Sequence, residues 1–294
     1  MECARDLAKV GARPRYFDPD HSDAEDRFIL LGIGAGAIVA SAAHARAQDG
    51  EDKEYGGKFV LIYEPIKNQA FHDIEAALQR TELFEEIVDA LNQTIALPTD
   101  IEVVVTECDT ANAFYDPEQT RIVMCYELIQ LLDQEFAGLY ETEQADEQAV
   151  ADATAFVFQH EMGHALVDVL ELPITGKEED AVDDLATLVL LHGWEDGDES
   201  ALNAAAAFYL QGEEQDAELE ELPYWDEHSL GLQRYYQIAC VVYGFNPDKH
   251  AELVGEDLPQ ERAQRCPAEY EQKASSWEVL LADYWKDAGE ADQD

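Results

Sequence analysis

Residues 149–170 read AVADATAFVFQHEMGHALVDVL. Apolar residues flank His160-Glu161-Met162-Gly163-His164 on both sides, and Pro173 follows, so the stretch predicts one strong helix. On a helix, residues four apart share a face. The imidazoles of His160 and His164 then reach one cation from the same side, and Glu161 points at a water on that cation. Gly163 removes bulk inside the motif and lets another segment pack close.

Working outward, Glu178-Glu179-Asp180-Ala181-Val182-Asp183-Asp184 opens the next expected helix, Glu178 to about Leu191. Glu179 and Asp183 are four apart and share a face with Ala186 and Leu190, so that face points inward. A catalytic zinc takes three protein ligands and keeps one open position. Glu179 is the expected third ligand beside His160 and His164, with one Zn2+ per chain. Asp183 is expected to accept the far N–H of a ligand histidine and fix its tautomer. Asp180 and Asp184 share the same spacing and Glu178 is adjacent, so other carboxylates remain alternatives.

Upstream, Lys58 to Glu64 (KFVLIYE) and Ile101 to Thr106 (IEVVVT) read as strands. Between them, Phe71, Ile74, Leu78, Leu83, Ile87 and Leu91 stand at helical spacing, so 69–92 reads as one helix. Asn112–Tyr115, a turn at Asp116-Pro117 and Arg121–Tyr126 read as a hairpin, followed by a helix from Glu127 to about Tyr140. Downstream, helices are expected at 200–210, 226–243 and 267–286, with a solvated charge run at Glu213–Glu221. Strands and a helix come first and helices follow, which is an α+β pattern with a small N-terminal sheet and a mostly helical C-terminal half.

Phe28 to Ala43 (FILLGIGAGAIVASAA) is an apolar run short for a spanning helix but of the right length for a signal-peptide core. Ala45-Arg46-Ala47 supplies a small-x-small cleavage pattern. Residues 1–47 are therefore expected to be an N-terminal extension and signal peptide, and 48–294 the mature chain, exported to the periplasm or secreted. An uncleaved membrane anchor is the alternative. Cys108, Cys125, Cys240 and Cys266 remain after cleavage, an even number that suggests disulfides in an exported chain. The sequence-local pairing is Cys108–Cys125 and Cys240–Cys266, one of three possible connectivities.

The chain's 294 residues carry 18 Lys+Arg against 65 Asp+Glu, a net charge of −47. Such a chain is repelled by phosphate backbones and anionic lipid, which excludes nucleic acid as a partner class. With 47% hydrophobic residues it is not a disordered chain. The acidity fits either salty surroundings or a compositional bias. No GxSxG elbow and no Gly-rich phosphate loop occurs, and His72, His192 and His250 sit in contexts that read as structural.

The residues FVFQHEMGHALVDVLELPITGKEEDAVDDLAT, NAFYDPEQTRIVMCYEL, WDEHSLGLQRYYQIACVVYG and RCPAEYEQ span most of 58–285. In them the chain resembles the gluzincins, HExxH peptidases whose third ligand is a Glu one helix later. More specifically it resembles a bacterial family classed as metallopeptidases by motif and of unknown function. The resemblance implies a zincin-like domain over 48–294, with the sheet and active-site helix in 58–170 and a helical part in 171–294. It implies a zinc-dependent peptidase with Glu161 as general base and a peptide or protein as substrate. Asn112-Ala113-Phe114-Tyr115 is similar to a cleft-lining segment of thermolysin-like peptidases, so Asn112 and Ala113 would hold substrate. His228, which lies where gluzincins often carry an oxyanion-stabilising His or Tyr, would be the second catalytic residue, with Tyr235 and Arg234 as rivals. An exported domain that binds zinc without catalysis is the alternative function.

Overall fold

The computed structural model describes residues 55–214, 225–255 and 257–286. The expected signal peptide, and the acidic run from residue 215 onward, lie outside them. Strands β1 (Phe59–Tyr63), β2 (Ile101–Thr106), β3 (Ala113–Asp116) and β4 (Arg121–Cys125) form a four-stranded sheet in the order β1-β2-β4-β3. β1, β2 and β4 are parallel, and β3 returns antiparallel on the edge. β2 is central, which explains its unbroken Val103-Val104-Val105 run: all three valines are buried, as covering both faces of a parallel strand requires.

Helices α1 (His72–Thr81) and α2 (Leu83–Thr94) connect β1 to β2. The single helix expected over 69–92 is broken at Glu82, whose φ of 52° is left-handed. The sequence carries the cause: Leu78 and Leu83 are five apart, one more than a continuous helical stripe allows, so the chain resets its phase there. After β4 come α3 (Tyr126–Phe136), α4 (Glu143–Val169), α5 (Glu178–Gly193) and α6 (Gly197–Glu214). Then follow α7 (Gly231–Phe245), the short α8 (Gln260–Ala263) and α9 (Cys266–Leu281). The fold is α+β.

α4 starts earlier than its apolar pattern indicated. Thr142 caps it by accepting the Ala145 N–H, and Glu143 and Asp146 sit in the first turn, where the helix dipole favours negative charge. α3 ends sooner than expected, because the N–H groups of Gly138 (φ 70°) and Tyr140 turn to the Asp146 carboxylate. α7 begins at Gly231 rather than Asp226, which leaves His228 on the loop before the helix.

α4 runs beneath β3 and β4, and α5 and α6 cross its other side. A Cβ on Gly163 would lie 2.7 Å from Val182 Cβ, so only glycine lets α5 approach this closely. Phe84 and Phe208 pack edge-on against Phe158 and Phe156 of α4, each at 5.7 Å between ring centroids. One cluster of buried side chains runs from Phe59 of β1 to Leu281 of α9. Two cysteine pairs sit at disulfide distance: Cys108–Cys125 closes the loop that leads into β3, and Cys240–Cys266 joins α7 to α9. No helix among the described residues is long and apolar enough to cross a membrane.

Candidate metal centre and its cavity

His160 and His164 lie on one face of α4, and their Nε2 atoms are 3.3 Å apart. The close crossing at Gly163 and Val182 delivers the first turn of α5 to them. Glu179 places Oε2 at 3.1 Å from His160 Nε2 and Oε1 at 3.4 Å from His164 Nε2. Of the three adjacent acids the sequence offered, Glu179 alone meets both of these nitrogens. Glu178 instead bonds His164 Nδ1 at 2.8 Å, and Asp180 accepts the Ser229 hydroxyl. Asp183, one turn on, bonds His160 Nδ1 at 2.7 Å. Asp183 is itself held by Arg234, whose Nε and Nη2 donate to its two oxygens at 2.7 and 2.6 Å. The Arg234 guanidinium also stacks over Phe208, with Cζ at 3.7 Å from the ring centroid.

His228 enters from the loop before α7. Its Nε2 is 3.0 Å from Glu179 Oε2, and its Nδ1 and backbone N–H both reach Asp226 Oδ1. His160, Glu179 and His228 thus form a group that offers one ligand atom each within 4.8 Å of one another.

The donor set fits a cation. Each imidazole has a carboxylate on Nδ1, which holds a proton there and leaves the Nε2 lone pair facing Glu179. Glu179 Oε2 is buried, with the Nε2 atoms of His160 and His228 as its neighbours at 3.1 and 3.0 Å. Lone pairs and a carboxylate converging on one point need positive charge between them, from protons or from a metal. The acid–base behaviour of the cluster agrees. Burial by itself would lower the pKa of His160, but hydrogen bonds to Asp183 and Glu179 outweigh it and the net shift is upward. For His164, burial opposes protonation and loses to Glu179 and Glu178, so its pKa rises to about 9. Burial would raise the pKa of Glu179, yet its histidine neighbours hold it far below the carboxylate range. Asp183, although buried, is held at about 2 by Arg234 and His160.

Glu161 lies beside this cluster, only 7% exposed. Burial pushes its pKa up, the two histidines pull it down, and Glu179 pushes it up again; the net shift is upward. The backbone N–H of Tyr115 on β3 also favours its charged form. A second tie joins the same strand to α4: the Tyr115 hydroxyl donates to Asp168 at 2.7 Å.

A cavity of about 220 Å³ opens over these groups. Asn112 and Ala113 line it together with His160, Glu161, His228 and Arg234, and its apolar wall includes Leu128, Phe156 and Phe208. The structure therefore brings the expected ligands, the expected base, His228 and the expected substrate edge into one place. The sequence reading did not place Glu178 on His164, Asp226 on His228 or Tyr115 on Glu161. The WDEHS segment held a signal for the second, since Asp226 is two residues from His228. Tyr235, a rival to His228, turns away and bonds Asp257. Two other histidines are engaged elsewhere, His250 with Asp198 and His192 with Tyr270.

Three imidazoles around the part-buried Glu179 carboxylate, with the buried Glu161 carboxylate lining the adjacent cavity, form a donor set suited to a metal ion. Residues 63–281 match the model of a protein family described as "Putative metallopeptidase", and the chain belongs to that family. No curated protein and no solved structure matches the chain.

Proposed function

We propose that the chain is an exported, zinc-dependent peptidase of zincin-like fold, with residues 48–294 as its catalytic domain. The observation that carries this reading is the meeting, at one cavity, of His160, the buried Glu161 and Ala113 on the outer edge of β3, with His164 and Glu179 in contact with His160. His160, His164 and Glu179 would hold the zinc. When bound, zinc lowers the pKa of a water towards about 7 and polarises the carbonyl under attack.

Asp183 and Glu178 orient the two ligand imidazoles, and Arg234 keeps Asp183 ionised. Glu161 takes the proton of the attacking water and passes it to the leaving amine; burial suits it to this, because a base of raised pKa both accepts and returns a proton near neutrality. The imidazolium of His228, held by Asp226, stabilises the oxyanion that develops on the substrate carbonyl. The substrate is a peptide or protein that lies along β3. Its main chain pairs with Ala113, and the Asn112 side chain adds a polar contact. The two cysteine pairs support an oxidising compartment, the periplasm or the exterior.

The test is zinc content by elemental analysis together with cleavage of a mixed peptide library, for the natural chain and for His160→Ala. One zinc per chain, lost in the variant along with cleavage, supports the reading. Zinc without cleavage would leave an exported zinc-binding domain, and absence of zinc after reconstitution would overturn the reading entirely.

A further inference from the structure

We propose that His228 is a displaceable fourth ligand of the metal, closing the site at rest and leaving it when substrate arrives. The proposal rests on the reading that His160, His164 and Glu179 hold zinc. Three features set His228 apart from an ordinary neighbour of the site.

The first is its chemistry. His160 presents Nδ1 to Asp183, His164 to Glu178 and His228 to Asp226, and all three present Nε2 to Glu179. A carboxylate on the far nitrogen is the common support of a metal-ligating histidine, and His228 has one too, at 3.1 Å against 2.7 and 2.8 Å for His160 and His164.

The second is the spacing. Four ligand atoms tetrahedrally placed at zinc's usual bond lengths lie about 3.3 Å from one another. The contacts found are 3.3 Å between the Nε2 atoms of His160 and His164, 3.1 and 3.4 Å from these to Glu179, and 3.0 Å from His228 to Glu179. The His228 contact has a similar length, and His160, Glu179 and His228 offer ligand atoms that all lie within 4.8 Å of one another.

The third is mobility by position. The side chain of His160 is 4% exposed and that of His164 15%, both on α4, whereas that of His228 is 46% exposed on a loop. The loop is tied to the start of α5 by Ser229 on Asp180 and, more loosely, by Lys177 Nζ on the Asp226 carbonyl at 3.5 Å. His228 is therefore the ligand that can leave. It also lines the cavity with Ala113, so a peptide that pairs with that strand meets it.

On release, the bond between metal and Nε2 breaks and a water oxygen takes the vacated position, with no change of oxidation state. A structural zinc site is closed and a catalytic one keeps an open position. This site would pass from the first state to the second, and the freed His228 would then face the substrate carbonyl.

X-ray absorption at the zinc edge of the loaded, full-length chain tests this directly. Three imidazoles per zinc are expected in the natural protein, and two in His228→Ala with the zinc retained. Adding a peptide hydroxamate should lower the count in the natural protein from three to two. Two imidazoles in the untreated natural protein would overturn the proposal while leaving the peptidase reading intact. Three that persist with the hydroxamate bound would make His228 a permanent ligand and overturn displacement. A natural protein that holds no zinc would sink both readings. The untreated natural protein supplies the deciding count even if the variant misfolds.

Discussion

At one edge of the sheet, Phe59 of β1 turns its N–H and C=O outward, and the side-chain amide of Asn92 takes both, at 2.8 and 2.9 Å. At the other edge, the Asn112 carbonyl faces inward and accepts the Cys125 N–H, so Ala113, next along, faces outward. There Ala113 lines the cavity, and the Tyr115 N–H reaches Glu161. An unpaired strand edge invites pairing with other chains, and proteins usually cover it. Here an Asn side chain covers the first residue of one edge, while at the other Ala113 lines the cavity together with the buried Glu161. In the proposed function, this is the edge that pairs with an extended substrate chain.

The largest effect should come from the carboxylate at the available edge. Glu161→Gln should lower kcat by about 10²–10⁴-fold, the range of a general base, with zinc content unchanged. Undiminished turnover would separate the edge from the chemistry and break the comparison.

Zinc binding should depend steeply on pH. The pKa of His164 is raised to about 9 and that of His160 is also raised, so the metal-free site holds protons at neutral pH. Zinc must expel them, and its apparent affinity should rise about tenfold per pH unit for each proton displaced, levelling off above about 9. Calorimetry in buffers of different ionisation enthalpy would count the protons. The same shift has a stability consequence for the metal-free protein. A histidine whose folded pKa is raised stabilises the fold fully below its unfolded value near 6.5 and loses that contribution as pH rises through about 9. Melting temperatures across that window, compared with those of His164→Ala, would show it.

A smaller effect separates the two edges themselves. Ala113→Pro removes one outward N–H, and an edge strand tolerates proline. The variant should raise KM for peptides about tenfold, the worth of one net hydrogen bond, with zinc retained. Asn92→Ala should do the reverse: it should cost about 1–3 kcal/mol of stability in urea unfolding, because the Phe59 groups lose their partners, and leave kcat/KM unchanged. If Asn92→Ala weakened peptide cleavage as much as Ala113→Pro, the two edges would not differ in function.

Much of the site was legible because its main signals are local. The spacing of His160 and His164, and that of Glu179 and Asp183, are statements about one helix each, and helical geometry converts spacing into a shared face without help from the rest of the chain. The strand IEVVVT was legible for the same reason, since its run of β-branched residues is a local signal, while its central place in the sheet was not. The break at Glu82 was written in the five-residue step from Leu78 to Leu83, although the average spacing hid it. The early start of α4 was hidden by the polar EQADEQ stretch, where capping and charge, rather than burial, make the helix.

The sequence by itself determined the donor types, their spacing on each helix, the α+β order of elements and the acidity of the surface. Tertiary structure alone decided which acid of Glu178-Glu179-Asp180 faces both Nε2 atoms, because that depends on the angle and closeness at which α5 crosses α4 over Gly163. It also decided that β3 would be an edge, that its Tyr115 N–H would reach Glu161, and that the loop before α7 would bring His228 and Asp226 to Glu179. These contacts join residues dozens of positions apart, and no local periodicity encodes a distance between segments that meet only when the core closes.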